Sequence, residues 1–160
     1  MSSKYTAEYV EEYAKDCVYE NRLNLIKNDQ LYVFAKQNHK LTMIKNYEKC
    51  PDFVITDSPL ILSNIYGDIN NSISDTFKSL VLETFNSYNN INFFIERGSG
   101  IKYEVNGRIQ TEEEAKEIDE KIKNYLVENH IDFEPLSCEN VNSIFERILH
   151  SNQFFKIKFK

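Results

Sequence analysis

Short β-rich runs alternate with helical segments along this chain, and that alternation constrains the fold more than any other feature of the sequence. Parallel strands need a crossover between them, so the pattern predicts an α/β protein whose mostly parallel sheet is covered by helices in a three-layer α/β/α arrangement. The predicted strands are Glu8 to Glu12, Phe53 to Asp57, Ile91 to Ile95 and Ile131 to Glu134. Of these, FVITD at 53–57 reads as the best-buried strand. Between the strands, Leu31, Phe34, Ala35, Leu41 and Ile44 fall near one face of a helix over 29–47. Ile73, Phe77, Leu80, Val81, Phe85 and Tyr88 do the same in the following segment.

Local signals fix the later helices. Thr111-Glu112-Glu113-Glu114 reads as a capping box, with the threonine hydroxyl accepting from the Glu114 N–H and the Glu114 carboxylate reaching back. The acidic run 112–114 then favours the helix dipole rather than a metal. Ser137 similarly precedes a helix carrying Val141, Ile144, Phe145, Ile148 and Leu149. The terminal QFFKIKFK, 153–160, alternates apolar and basic residues and reads as a lysine-guarded edge strand or, equally, a frayed tail.

A chain of 160 residues suits one domain, here 1–160. Its 41% hydrophobic and 28% charged residues, with 4 Gly and 3 Pro, exclude a low-complexity chain and argue against disorder. The net charge of −6 gives no broad electrostatic footprint for nucleic acid, so any anion site must be local. No apolar run approaches the ~18 residues of a spanning helix, and the first residues lack the basic-then-apolar order of a signal peptide. No membrane association and a cytoplasmic location are therefore expected. Cys17, Cys50 and Cys138 stand far apart without a CxxC pair and read as reduced, structural thiols. His39, His130 and His150 stand alone, so little points to a metal or Cys/His nucleophile.

The residues that could carry chemistry lie at strand ends. In a parallel α/β sheet, a carboxylate at the carboxyl end of a strand faces the crevice where ligands bind, which singles out Asp57. Asp57-Ser58-Pro59 is also a helix-start signature, and the aspartate can serve both roles. Glu12 lies on the same rim if the first two strands are parallel, though the run Glu8, Glu11, Glu12 equally suits a solvated edge. Two such carboxylates suit a base and a magnesium-sphere acid. Arg97, Lys102 and Arg108 fall within a loop over 97–110 that suits a lid closing on phosphate, or an ordinary charged surface loop.

Four segments together carry a resemblance: EYAKDCVYENR at 12–22, QLYVFAKQ at 30–37, VITDSPLILSNIYG at 54–67 and GRIQTEEEAKEID at 107–119. In that order and spacing they resemble the phage-type nucleotide kinases of the NadR-like AAA group of P-loop NTPases, themselves similar to deoxynucleoside and thymidylate kinases. The resemblance implies a P-loop nucleoside or nucleotide kinase-like fold, with ATP and Mg²⁺ as cofactors and a nucleoside or nucleotide as the small-molecule partner. For a phage product, the host cytoplasm is the implied location. By the same resemblance Glu12 acts on the acceptor hydroxyl, and Asp57 stands near magnesium and the phosphates. Gln30 and Gln37 lie on the acceptor-base helix, where a surface glutamine is the plainer reading for at least one. Arg97 and Arg108 match lid arginines that neutralise the transferred phosphoryl, and Lys102 is a substrate-binding candidate without a matched counterpart.

The departure from that family is equally specific. Its members open with a strand, a GxxxxGK[ST] loop that cradles phosphate, and a helix. The four glycines here, Gly67, Gly98, Gly100 and Gly107, form no such motif. A kinase-like domain without its first strand and Walker A loop is expected to be inactive alone or dependent on a partner. The completing element is expected to be a separate P-loop-bearing segment, a refolded part of this chain such as 153–160, or a second copy; a non-catalytic nucleotide-binding or protein-interaction module is the alternative.

Overall fold

In a computed structural model of the chain, residues 5–45, 48–96, 98 and 111–150 are described. They fall into two compact units, one up to Phe85 and one from Asn86 onward. The α/β class and the parallel strands are present, but the described strands form two separate two-stranded sheets instead of one continuous sheet.

The first unit pairs β1 (Ala7–Val10) in parallel with β2 (Phe53–Thr56), from Ala7 opposite Phe53 to Val10 opposite Thr56. A reciprocal clamp at one end holds this register. The Asp52 carboxylate accepts from the Thr6 N–H at 2.8 Å and its hydroxyl at 3.0 Å, while the Asp52 N–H donates back to that hydroxyl at 3.1 Å. Such local side-chain bonds fix register where the short strands themselves offer few constraints.

The crossover contains α1 (Tyr13–Tyr19), α2 (Leu23–Asn28) and α3 (Gln30–Lys45). Asp29 caps α3 by accepting the Tyr32 N–H at 3.0 Å. The buried face of α3 is Gln30, Val33, Phe34, Gln37 and Ile44, a helical stripe that runs through both glutamines. Of the expected stripe, Phe34 and Ile44 lie on this face and Leu41 is half-buried, but Leu31 is 58% exposed and Ala35 is exposed too. Reckoning glutamine as polar displaces the stripe, because the true one satisfies two amides internally.

Tyr13, Cys17 and Val33 form a small core, flanked by Leu25, Ile26 and Tyr32. Helix α4 (Leu62–Ile69) and helix α5 (Asp75–Asn86) complete the unit. Ser74 caps α5 through the Phe77 N–H at 3.3 Å, and Phe77, Val81 and Phe85 recur every fourth residue on its buried side. Leu80, expected on that face, is 45% exposed. Gly67 sits where α4 meets Ile73: a Cβ there would come within 2.6 Å of the isoleucine side chain.

FVITD is not a buried strand. Val54 is 40% and Ile55 53% exposed, and the strand stops at Thr56. The physical reason is that β2 has a strand neighbour on one side only among the described residues.

The second unit pairs β3 (Phe93–Glu96) in parallel with β4 (Glu134–Ser137). Helix α6 (Glu112–Glu128) connects them and opens with the expected capping box: the Glu114 N–H donates to the Thr111 hydroxyl at 3.2 Å, and the Thr111 N–H to the Glu114 carboxylate at 2.8 Å. The last strand lies three residues beyond its expected start and includes Pro135. The Glu134 N–H donates to the Asn92 carbonyl at 2.9 Å, so alternation turns the Pro135 nitrogen away from β3, where no donor is needed. Ser137 ends this strand, followed by a 3₁₀ turn over Cys138–Ser143 and then α7 (Ile144–His150). Three chain reversals use left-handed residues that are not glycine: Asn21, Asn71 and His130, at φ of 57°, 50° and 53°. Each is followed by a residue whose N–H bonds five positions back, to Cys17, Gly67 and Leu126, as a Schellman helix end requires.

Candidate functional site

The parallel register sets Val10 opposite Thr56, so the chain leaves both strands of the first pair at the same end. Glu12 follows two residues after β1, and Asp57 follows β2 directly. The two carboxylates named from sequence therefore share one rim. Neither is engaged as a helix cap. Glu12 stands at the N-cap of α1 with no side-chain cap bond, and the cap position of α4 is Ile61, four residues past Asp57. The helix-start reading of Asp57-Ser58-Pro59 thus fails in its strict form: Pro59, Leu60 and Ile61 lie in a tight turn whose carbonyls accept from Leu62, Ser63 and Asn64.

Strand alternation places Tyr9, its neighbour Ile55 and the following Asp57 on one face. The Tyr9 phenol is held above its ordinary value first by its hydrogen bond with the Asp57 carboxylate, then by partial burial and by the negative charge of Asp57, Glu11 and Glu12. A phenol kept protonated is a donor on the side of Asp57, while the rim keeps its negative field. Sequence reading missed Tyr9, because its proximity to Asp57 depends on the register of β1 against β2.

The two glutamines are interior residues, not helix-surface ones: Gln30 is 2% and Gln37 4% exposed. Gln30 donates to the Ile26 carbonyl. Gln37 accepts the Tyr13 N–H at 2.8 Å and donates to the Glu11 carbonyl at 3.4 Å. Lys40 donates to the same carbonyl at 3.4 Å and pairs with Asp16 at 2.8 Å. Helix α3 thereby holds the 11–13 connection from which Glu12 projects. Lys40 was a second omission of the sequence reading, since its partner Asp16 is 24 residues away.

Asp57 is exposed and has no ion-pair partner among the described residues. No group of three or more His, Cys, Asp or Glu side chains there is assembled into a metal cage. One open carboxylate still fits Mg²⁺, which keeps several waters and takes one or two carboxylates along with substrate phosphates. Arg97, Lys102 and Arg108, with nearly all of the 97–110 loop, lie outside the described residues, as does 153–160. No described helix is long and apolar enough to cross a membrane.

No protein-family model matches the chain, and neither a curated protein nor a solved structure matches it.

Proposed function

We propose that this chain is a P-loop nucleoside or nucleotide kinase-like protein of three-layer α/β/α type, related to ATP-dependent phosphoryl transfer onto a nucleoside-type hydroxyl. The observation that carries this reading is the shared rim: Glu12 and Asp57 leave the same end of one parallel strand pair, each unengaged as a helix cap. That is the position from which α/β proteins address ligands. Glu12 takes the role of accepting the acceptor hydroxyl's proton, and Asp57 that of holding Mg²⁺ against the phosphates, with Tyr9 a donor beside its carboxylate. Bound Mg²⁺ would neutralise phosphate charge. Gln37 fixes the Glu12 connection, the buried Gln30 keeps its amide on Ile26 and is left out of acceptor binding, and Lys102 for substrate with Arg97 and Arg108 as lid cations are the roles the sequence resemblance supplies. The sequence contains no GxxxxGK[ST] motif, so turnover requires a phosphate cradle from elsewhere.

Thermal unfolding with added nucleosides, nucleoside monophosphates and Mg·ATP tests this. A saturable rise in Tm with a nucleoside monophosphate is expected, worth roughly 2.7 kcal/mol at a hundredfold excess over Kd. Asp57→Asn should abolish any Mg²⁺-dependent part of the rise. Binding of a monophosphate with no response to ATP would favour a non-catalytic nucleotide-binding module. A cooperative transition unmoved by every one of these ligands would overturn the reading.

A further inference from the structure

Two phenols and three cations converge where α1, the 20–22 turn and α3 meet. Tyr32, Lys36 and Lys40 recur every fourth residue along α3 and so share one of its faces. The Tyr13 ring of α1 lies edge-on to the Tyr32 ring, with 5.9 Å between centroids and 68° between planes. Lys36 Nζ stands 5.5 Å from the centre of the Tyr32 ring, and Lys40 Nζ 5.6 Å from that of Tyr13. Arg22 donates from Nη2 to the Tyr13 hydroxyl at 3.4 Å. Tyr13 and Cys17 are buried beside Val33, while Tyr32 is half-buried at the rim of that small core.

Two adjoining phenols do not ionise alike. The first to ionise is stabilised by the O–H of its neighbour, and the second is opposed by the charge already present. Burial determines which is first. Tyr13 is held above its ordinary value, first by burial and then by hydrogen bonding with Tyr32 and Cys17. Tyr32 is held below its own, first by hydrogen bonding with Tyr13 and then, against the opposing effect of burial, by the positive charges of Lys36 and Arg22. The neighbouring acids are engaged elsewhere: Glu20 pairs with Arg22, Asp16 pairs with Lys40, and Asp29 accepts the Tyr32 N–H at 3.0 Å.

We propose that Tyr32 is an acylation site, a phenol nucleophile that takes an acyl group from an acyl phosphate. The Tyr32 oxygen bonds to the carbonyl carbon, the bond from that carbon to the phosphate oxygen breaks, and phosphate leaves with the electron pair and takes up the phenol's proton. Tyr13 keeps its own proton, and nothing is oxidised or reduced. Charge selects the donor class. Lys36 is exposed and has no ion-pair partner among the described residues, so its cation meets an anionic donor beside the reacting oxygen. A trigonal carbonyl carbon is open to a phenolate, whereas the anionic oxygens of a phosphoryl centre repel it. The proposal uses neither Glu12 nor Asp57 and survives failure of the kinase reading.

Brief treatment of the full chain with acetyl phosphate near neutral pH, followed by peptide mass spectrometry of the modified residues, tests it. Access alone would favour Tyr19 and Tyr9 among the ten tyrosines, since they are 67% and 54% exposed. Tyr32 is expected to be acetylated about fivefold or more faster than either. Its rate should reach a plateau at lower pH than that of N-acetyltyrosinamide. Lys36→Gln, a surface change, should slow Tyr32 severalfold with acetyl phosphate and less with the neutral donor N-acetylimidazole, and Lys36→Arg should restore the rate. Tyr13→Phe should slow reaction with both donors alike, its Tm showing whether the core survives. Tyr32 reacting no faster than Tyr19 would overturn the proposal. So would a rate indifferent to Lys36→Gln, acetyl found on Lys36 in place of Tyr32, or a phosphoryl instead of an acetyl group on the phenol.

Discussion

The two strand pairs have the same parallel geometry but treat their acidic residues in opposite ways. In the β3–β4 pair, Glu96 is paired with Lys123 at 3.4 Å, Lys123 also lies 4.9 Å from the Phe94 ring centre, and Glu134 is paired with Arg147. In the β1–β2 pair, Asp57 has no such cation among the described residues, and its hydrogen-bond partner is the Tyr9 phenol. A carboxylate answered by the chain's own lysine or arginine is part of the surface, whereas one beside a phenol and left otherwise open remains available to a cation or hydroxyl. The helix starts show the same division. Thr111 is bound in a capping box, while Glu12, at the equivalent position of α1, makes no cap bond.

The largest test of the contrast is packing within the strands. Leu136 of β4 is 2% exposed, so Leu136→Ala should cost about 2–5 kcal/mol, whereas Ile55→Ala at 53% exposure should cost less than about 1. Chemical denaturation reads both, and equal losses would dissolve the distinction between a packed and an open strand. Next in size is Gln37→Leu, which leaves the buried Tyr13 N–H without its acceptor and should cost about 1–3 kcal/mol. If Gln37 holds the Glu12 connection, this variant also accelerates amide exchange at Tyr13; unchanged exchange there would show that the connection is held without it.

The helix starts give a smaller effect. Thr111→Ala removes both the hydroxyl acceptor and the reciprocal geometry of the box and should lower stability by about 1 kcal/mol. Glu12→Ala loses no cap bond and should fall below that by equilibrium unfolding. A Glu12→Ala loss as large as that of Thr111→Ala would mean that Glu12 has a structural task as heavy as a cap.

What was legible in the sequence was mostly local. The Thr111 box could be read because all its partners lie within four residues, and the strand-end carboxylates because a strand followed by an acid is a short pattern. The full stripe of α3 was not legible, since Gln30 and Gln37 look polar until their amides are seen bonded to Ile26, Glu11 and Tyr13. Proline masked β4, because the run is admissible as a strand only if Pro135 faces outward, and direction along a ladder is set by the partner. The exposure of β2 was illegible for the same reason: FVIT has the composition of an interior strand, and burial depends on neighbours that composition does not supply. Asp57 could be named from sequence but its companion Tyr9 could not, because their proximity depends on the β1–β2 register.

That companionship gives the finest test of the difference between the rims. The folded chain holds the Tyr9 phenol above its ordinary value of 10.0, chiefly through the hydrogen bond to Asp57. A folded value raised above the unfolded one means that the native state retains the proton more firmly. The resulting stabilisation is complete below the unfolded value and is lost as pH climbs through the folded one, so it disappears on the alkaline side and leaves neutral pH untouched. Asp57→Asn removes both the carboxylate hydrogen bond and its charge, leaving partial burial and the weaker influence of Glu11 and Glu12. The phenol should then ionise at lower pH, read as the difference in phenolate absorbance between each background and its Tyr9→Phe partner. Glu96→Gln, at the rim where lysine answers the acid, should leave that difference curve in place. A Tyr9 curve unmoved by Asp57→Asn would separate the phenol from the carboxylate and return Asp57 to the same standing as any exposed acid at a strand end.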